Sequence, residues 1–169
     1  IYVGYERPKY PSKLSSTHVY GINDLNTYQN LKILKKNLEI DKDKIFYSPK
    51  NIIDERLKTN ITKVLGEKNI LENNSFVKNI KHSKYVICEY PMTAYLESLL
   101  ITPTFLVCDI EKVFIPIKNF KNIYSMLEKH NLLFSNMKKF TNFMNKNNKN
   151  IDDFWDQNKI KILRKRIMD

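Results

Sequence analysis

The sequence has little glycine or cysteine, and it has no apolar run approaching the roughly 18 residues of a membrane span. Its three glycines form no glycine-rich phosphate loop, and its two cysteines, Cys88 and Cys108, have no nearby histidine to complete a zinc site. Both cysteines lie in apolar, strand-like runs, which favours buried, reduced thiols. No Asp-x-Asp motif stands at the end of a predicted strand, so we expect no metal ion and no cofactor.

Arginine is also scarce, although the net charge is +11. Only four of the 29 basic residues are arginine, namely Arg7, Arg56, Arg164 and Arg166. The lysines are dispersed beside many Asn and Ile residues, a mixture typical of an AT-rich genome. This dispersion favours a solvated lysine surface over a specific nucleic-acid site. Attraction to phosphates, on a nucleotide-sugar or on an anionic membrane face, remains the functional alternative.

Short apolar runs alternate with helical patterns along the chain. This alternation predicts one α/β domain over residues 1–169, a Rossmann-like parallel sheet flanked by helices and followed by a helical C-terminus. The predicted strands are Ile1–Tyr5, Lys44–Ser48, Ile61–Leu65, Tyr85–Cys88 and Thr104–Cys108. The predicted C-terminal helices are Lys118–Lys129, Asn136–Asn145 and Ile151–Ile167. Because the chain opens with Ile1 directly in a strand-like run, we expect it to be part of a longer protein.

The segment from Tyr85 to Asp109 carries the clearest chemistry, because it is predicted as strand, turn, helix and strand. In an open parallel sheet, ligands bind beyond the carboxyl ends of the strands. The turn that would lie there consists of Glu89, Tyr90, Pro91, Met92 and Thr93. A helix beginning near Pro91 would direct backbone N–H groups at a diphosphate, and Thr93 could add a hydroxyl donor.

Glu89 and Glu97 are eight residues apart in this segment. A carboxylate suits a ribose diol, because it accepts two hydrogen bonds. The spacing resembles the paired glutamates of many GT-B glycosyltransferases. In those enzymes the second glutamate binds the ribose hydroxyls of the nucleotide, and the first lies near the transferred sugar. An ordinary surface helix residue is the alternative interpretation of Glu97.

The same segment resembles a family of large bacterial proteins assigned as transferases, found beside surface-polysaccharide genes. Their C-terminal half resembles GT-B enzymes. The matching positions are Val86, Ile87, Tyr90, Thr93, Leu96, Glu97, Leu99, Pro103 and Thr104. The sequence departs from the family at Cys88 and Glu89, where small hydroxyl residues are usual. The resemblance implies a nucleotide-sugar-binding domain of a cytoplasmic glycosyltransferase, working at the inner membrane face. A separate N-terminal domain would then supply the acceptor contacts.

Further donor contacts are expected after the first two strands. Arg7 and Lys13 follow the first strand, in the segment that faces the interdomain cleft of GT-B enzymes, where basic groups neutralise the diphosphate; a solvated loop is the alternative interpretation. His18 is a further candidate for the cleft, because the family it resembles has a histidine near this position. Ser48 ends the second strand and could touch the donor or belong to an ordinary turn. Two other functions stay open: a basic module for nucleic acids or anionic surfaces, and a sugar epimerase, which shares the GT-B fold. The epimerase requires acid and base groups around the sugar, and no convincing histidine–carboxylate set is present.

Overall fold

The computed structural model describes residues 1–3, 20–39, 42–48, 55–71, 75–91, 93–110 and 118–168. Within these ranges, one sheet of four strands has the order β1-β2-β3-β4, and every neighbouring pair is parallel. The strands are β1 (Tyr2–Val3), β2 (Val86–Cys88), β3 (Thr104–Val107) and β4 (Leu133–Phe134). The predicted parallel sheet is therefore confirmed, with β2 in its interior.

Two parallel bridges extend the sheet beyond β1. Tyr47 pairs with Tyr2, and Ile70 pairs with Tyr47. The Tyr47 N–H donates to the Asn69 carbonyl at 2.8 Å, and the Ser48 N–H donates to the Tyr2 carbonyl at 3.1 Å. The predicted strand Lys44–Ser48 is thus reduced to a bridge at Tyr47. Among the described residues, the order across the sheet is Ile70, Tyr47, β1, β2, β3 and β4.

Helices surround this sheet. They are α1 (Tyr20–Asn37), α2 (Glu55–Leu65), α3 (Phe76–Lys81), α4 (Thr93–Leu99), α5 (Lys118–Lys129), α6 (Met137–Asn147), α7 (Ile151–Asp156) and α8 (Asn158–Met168). Helix α1 packs against α2 and α6, α3 packs against α4, and α5 packs against α8. The Rossmann-like class and the helical C-terminus are both confirmed. No helix in the described ranges has the length and apolar character needed to cross a bilayer.

The strand predicted at Ile61–Leu65 is wrong, because these residues form the second half of α2. Leu57, Ile61 and Leu65 are buried at intervals of four residues, which is the period of a helix and not of a strand. Gly66 ends the helix with φ at 89°, a conformation that favours glycine. The third segment along the chain that joins the sheet is Ile70 instead, through its bridge to Tyr47.

Other elements also differ from the predictions. Strand β4 was not predicted, because two apolar residues between helices give no period to recognise. The predicted helix Ile151–Ile167 is two helices, because Gln157 adopts extended dihedrals with ψ at 136°. Helix α4 begins at Thr93, two residues after the expected start at Pro91.

An aromatic cluster forms the core beneath β3 and β4. Phe105 is fully buried, and its ring centroid lies 5.5 Å from that of Phe140 and 6.2 Å from that of Phe154. Trp155 is buried as well, and the Arg164 guanidinium lies 4.2 Å from the centroid of its ring. These contacts hold α6 and α7 against the sheet.

Candidate functional site

The order of the strands reverses between β1 and β2. From β1 the chain builds the sheet outward through Tyr47 and Ile70, and then returns to add β2, β3 and β4 on the other side of β1. Such a reversal is the switch point of a doubly wound sheet, where ligands bind outside the carboxyl ends of the strands. Because β1 and β2 are parallel and end at Val3 and Cys88, Glu89 lies at this point.

Glu89 is a buried carboxylate that accepts hydrogen bonds from side chains of β1 and α1. It is 5% exposed, and the Tyr2 hydroxyl donates to its Oε1. Thr27 Oγ1 donates to Oε2 at 2.5 Å, and Asn30 Nδ2 donates to Oε1 at 2.7 Å. These bonds join β1, α1 and the end of β2 through one side chain. The carboxylate therefore fixes the geometry of the switch point.

Tyr2, Thr27 and Asn30 were not singled out from the sequence. One signal was available for Thr27, which shares a helical stripe with the buried Leu31 and Leu34. A polar residue in such a stripe indicates a buried hydrogen bond, although the sequence does not name its partner. Burial raises the pKa of the Tyr2 hydroxyl well above its usual value, and Glu89 beside it raises this pKa further. Tyr2 therefore acts here as a donor.

The remaining residues of the predicted turn lie between Glu89 and α4. Tyr90 and Pro91 are half-buried, whereas Thr93 is exposed at the first position of α4. Glu97 is half-buried one turn further along the same helix. Positions four residues apart share a helix face, so Thr93 and Glu97 are neighbours on α4. The structure thus places an exposed hydroxyl and a carboxylate side by side just after the switch point.

Ser48 lies at the carboxyl end of the neighbouring bridge strand and is fully buried. Its hydroxyl accepts a hydrogen bond from Asn79 Nδ2 at 3.0 Å, which connects the second strand to α3. Arg7, Lys13, His18 and Met92 lie outside the described residues.

Two buried cysteines and a buried tyrosine lie next to the carboxyl ends of the strands. Cys88 ends β2, Cys108 follows β3, and Tyr95 is on α4. Burial raises the pKa of the Cys88 and Cys108 thiols to about 12, so both are protonated at neutral pH. Neither thiol is therefore activated as a nucleophile. The buried Tyr95 hydroxyl on α4 has no hydrogen-bond partner in the described part of the chain. In that same part, no three or more His, Cys, Asp or Glu residues are grouped as a metal site.

A cavity of about 700 Å³ lies near the amino ends of the strands. Its lining includes Ile1 and Tyr85, which precede β1 and β2, and Lys44, which precedes the Tyr47 bridge. It therefore lies mainly at the amino ends of the strands, although Tyr2 and Asn79, which bond to Glu89 and Ser48, also line it. The sequence pattern gave no indication of it.

Comparison with known proteins identifies the family of this chain but no individual relative. The model of the LIC12162 family transferase matches residues 3–169. No curated protein and no solved structure matches the chain significantly. The matched range contains Val3 of β1, the carboxyl end of β2 with Glu89, and all of the helices described above. The chain therefore belongs to the LIC12162 family of transferases.

Proposed function

We propose that this domain binds the nucleotide-sugar donor of a glycosyltransferase that acts in bacterial surface-polysaccharide biosynthesis. The observation that carries the proposal is the strand-order reversal between β1 and β2, with Thr93 and Glu97 just beyond it. Membership in a transferase family supports group transfer as the chemistry. The resemblance to GT-B enzymes supports a nucleotide-sugar as the donor.

In this proposal the exposed Thr93 and the half-buried Glu97 of α4 contact the nucleotide directly. Thr93 donates its hydroxyl hydrogen to a diphosphate oxygen, and Glu97 accepts hydrogen bonds from the ribose diol. One helical turn separates the two residues by about 6 Å along the axis, which suits a ribose next to a diphosphate. Tyr90 and Pro91 line the approach to this site.

The two buried residues, Glu89 and Ser48, have positioning roles. Glu89 holds α1 and β1 in register with the turn before α4, through its three side-chain donors. Ser48 joins the next strand to α3 through Asn79. For Arg7 and Lys13, the proposal keeps the role expected from the sequence, which is neutralisation of the donor diphosphate, and His18 keeps its place as a candidate for the cleft. The acceptor contacts would come from a separate domain.

The test is calorimetric titration of UDP, GDP, CMP and their sugar conjugates into the full chain. We expect Glu97→Ala to weaken the affinity for the preferred nucleotide by at least about tenfold, because a charge-assisted hydrogen bond is lost. Thr93→Val should weaken it by about three- to tenfold, since a neutral hydrogen bond is lost.

The matched control is Glu128→Ala, which removes an exposed carboxylate from α5. It should leave the affinity unchanged. Equal affinity in all four proteins would show that the site is assigned wrongly, and no binding of any nucleotide would refute the donor-binding function.

A further inference from the structure

The last helix, α8, has an outward face that combines positive charge with an exposed apolar side chain. Ile160 and Leu163 are buried against the rest of the fold, whereas Ile162 is 60% exposed. Lys159 and Lys165 lie three residues before and after Ile162, and both are exposed. Residues three apart share a helix face, so the isoleucine lies between two ammonium groups.

The rest of α8 is also basic. Between Asn158 and Met168 the helix has no acidic residue, and its basic residues are Lys159, Lys161, Arg164, Lys165 and Arg166. Three of these have contacts within the fold: Lys161 pairs with Asp156 at 3.3 Å, Arg164 lies over Trp155, and Arg166 contacts the Met126 sulfur at 3.6 Å. Lys165 lies on the side of the helix opposite to the buried Ile160 and Leu163, whereas Lys159 is exposed at the border of that buried side, with Ile162 between the two lysines.

Positive charge is concentrated in this part of the chain. Residues 137–168 contain nine basic and three acidic side chains, which gives them a net charge of +6 out of +11 for the whole protein. A uniform lysine surface would give this fifth of the chain a much smaller share. The charge of α8 is therefore a local feature and not only a consequence of overall composition.

We propose that the outward face of α8 docks on an anionic lipid bilayer, with Ile162 entering the interface between headgroups and acyl chains. A negatively charged leaflet attracts lysine and arginine side chains close to its surface, and an apolar residue at their centre adds hydrophobic burial. Nucleic-acid phosphates would use the charge and leave the isoleucine without a role, so the arrangement favours lipid. The proposal does not rest on donor binding.

The experiment is co-sedimentation of the full chain with vesicles of phosphatidylcholine alone, and with vesicles that contain phosphatidylglycerol in about equal part. Binding should require phosphatidylglycerol and should weaken with added salt, since the Debye length falls from about 10 Å at 0.1 M to about 3 Å at 1 M. Lys159→Glu/Lys165→Glu should lower the partition coefficient by at least about tenfold. The neutral change Ile162→Ser should lower it by about three- to tenfold.

The matched control is Lys138→Glu/Lys139→Glu on α6, which makes the same charge change at two exposed positions. Circular dichroism of each variant should be that of the parent protein, because none of the five side chains is buried. The proposal is overturned if the control reduces binding as much as the α8 pair does, or if Ile162→Ser has no effect. It is also overturned if the chain ignores phosphatidylglycerol but binds duplex DNA.

Discussion

Glu89 is the residue on which most of the site geometry depends. Its carboxylate accepts hydrogen bonds from Tyr2, Thr27 and Asn30, and it is almost completely buried. Removing the charge of such a group leaves its donors poorly satisfied, and hydrogen bonds to charged groups contribute about 1.5–3 kcal/mol each. The side chain therefore stabilises the fold as well as the site.

We predict that Glu89→Gln lowers the free energy of unfolding by about 2–4 kcal/mol, because the amide cannot accept from all three donors. Urea unfolding followed by circular dichroism measures this change. The control Glu128→Gln, at an exposed position of α5, should stay within about 0.5 kcal/mol of the parent protein. An equally small effect at both positions would contradict the structural role of Glu89.

The two cysteines give a second prediction at this scale. Burial raises the pKa of both thiols to about 12, whereas the pKa of a cysteine in the unfolded chain is about 8.5. The folded state therefore binds its thiol protons more tightly. The resulting stability is fully present below about pH 8.5 and is lost as the pH rises toward 12.

A thiol reagent should accordingly label neither cysteine at pH 8 in the native protein and both in urea. Mass spectrometry counts the added groups. The free energy of unfolding should decrease above about pH 9, a trend that denaturation at successive pH values measures. Rapid labelling of Cys88 in the folded protein would show that the end of β2 is open to solvent.

At the scale of elements, the helix–strand distinction in short apolar runs limits what the sequence can predict. Within residues 61–65, the side chains of Ile61, Thr62 and Val64 are β-branched, and Gly66 follows the run. Both features are typical of a strand. The buried positions nevertheless follow the helical period that begins at Leu57. The run is too short for its own period to decide, and packing of α2 against α1 settles it.

Gly66 directly follows α2, and its backbone conformation allows a test of the helix assignment. Its φ of 89° with ψ of 152° is a region that other residues avoid, although a Cβ there would meet nothing within 4 Å. We expect Gly66→Ala to lower the free energy of unfolding by about 1–3 kcal/mol, entirely through backbone strain. Thermal unfolding measures this, with Ser125→Ala on the exposed side of α5 as a neutral control. A neutral Gly66→Ala would mean that α2 ends with different dihedrals.

At the scale of the whole molecule, the sequence predicts the class of fold better than the residues that complete the site. Alternating apolar runs and helical patterns are sufficient for a parallel sheet, and Tyr85–Cys88 lies in its interior as expected. The hydrogen-bond partners of Glu89 come from β1 and α1, 59 to 87 positions away in the sequence. Such contacts depend on strand order, which residue periodicity does not encode.

The position of a bound nucleotide tests the account most directly. Amide chemical shifts of the full chain would be recorded with and without its preferred nucleotide diphosphate. The account predicts that the largest changes occur at the carboxyl ends of β1 and β2 and in the first turn of α4, at Glu89, Thr93 and Glu97. Changes confined to the cavity near the amino ends of the strands, around Ile45, Tyr85 and Asn148, would contradict it.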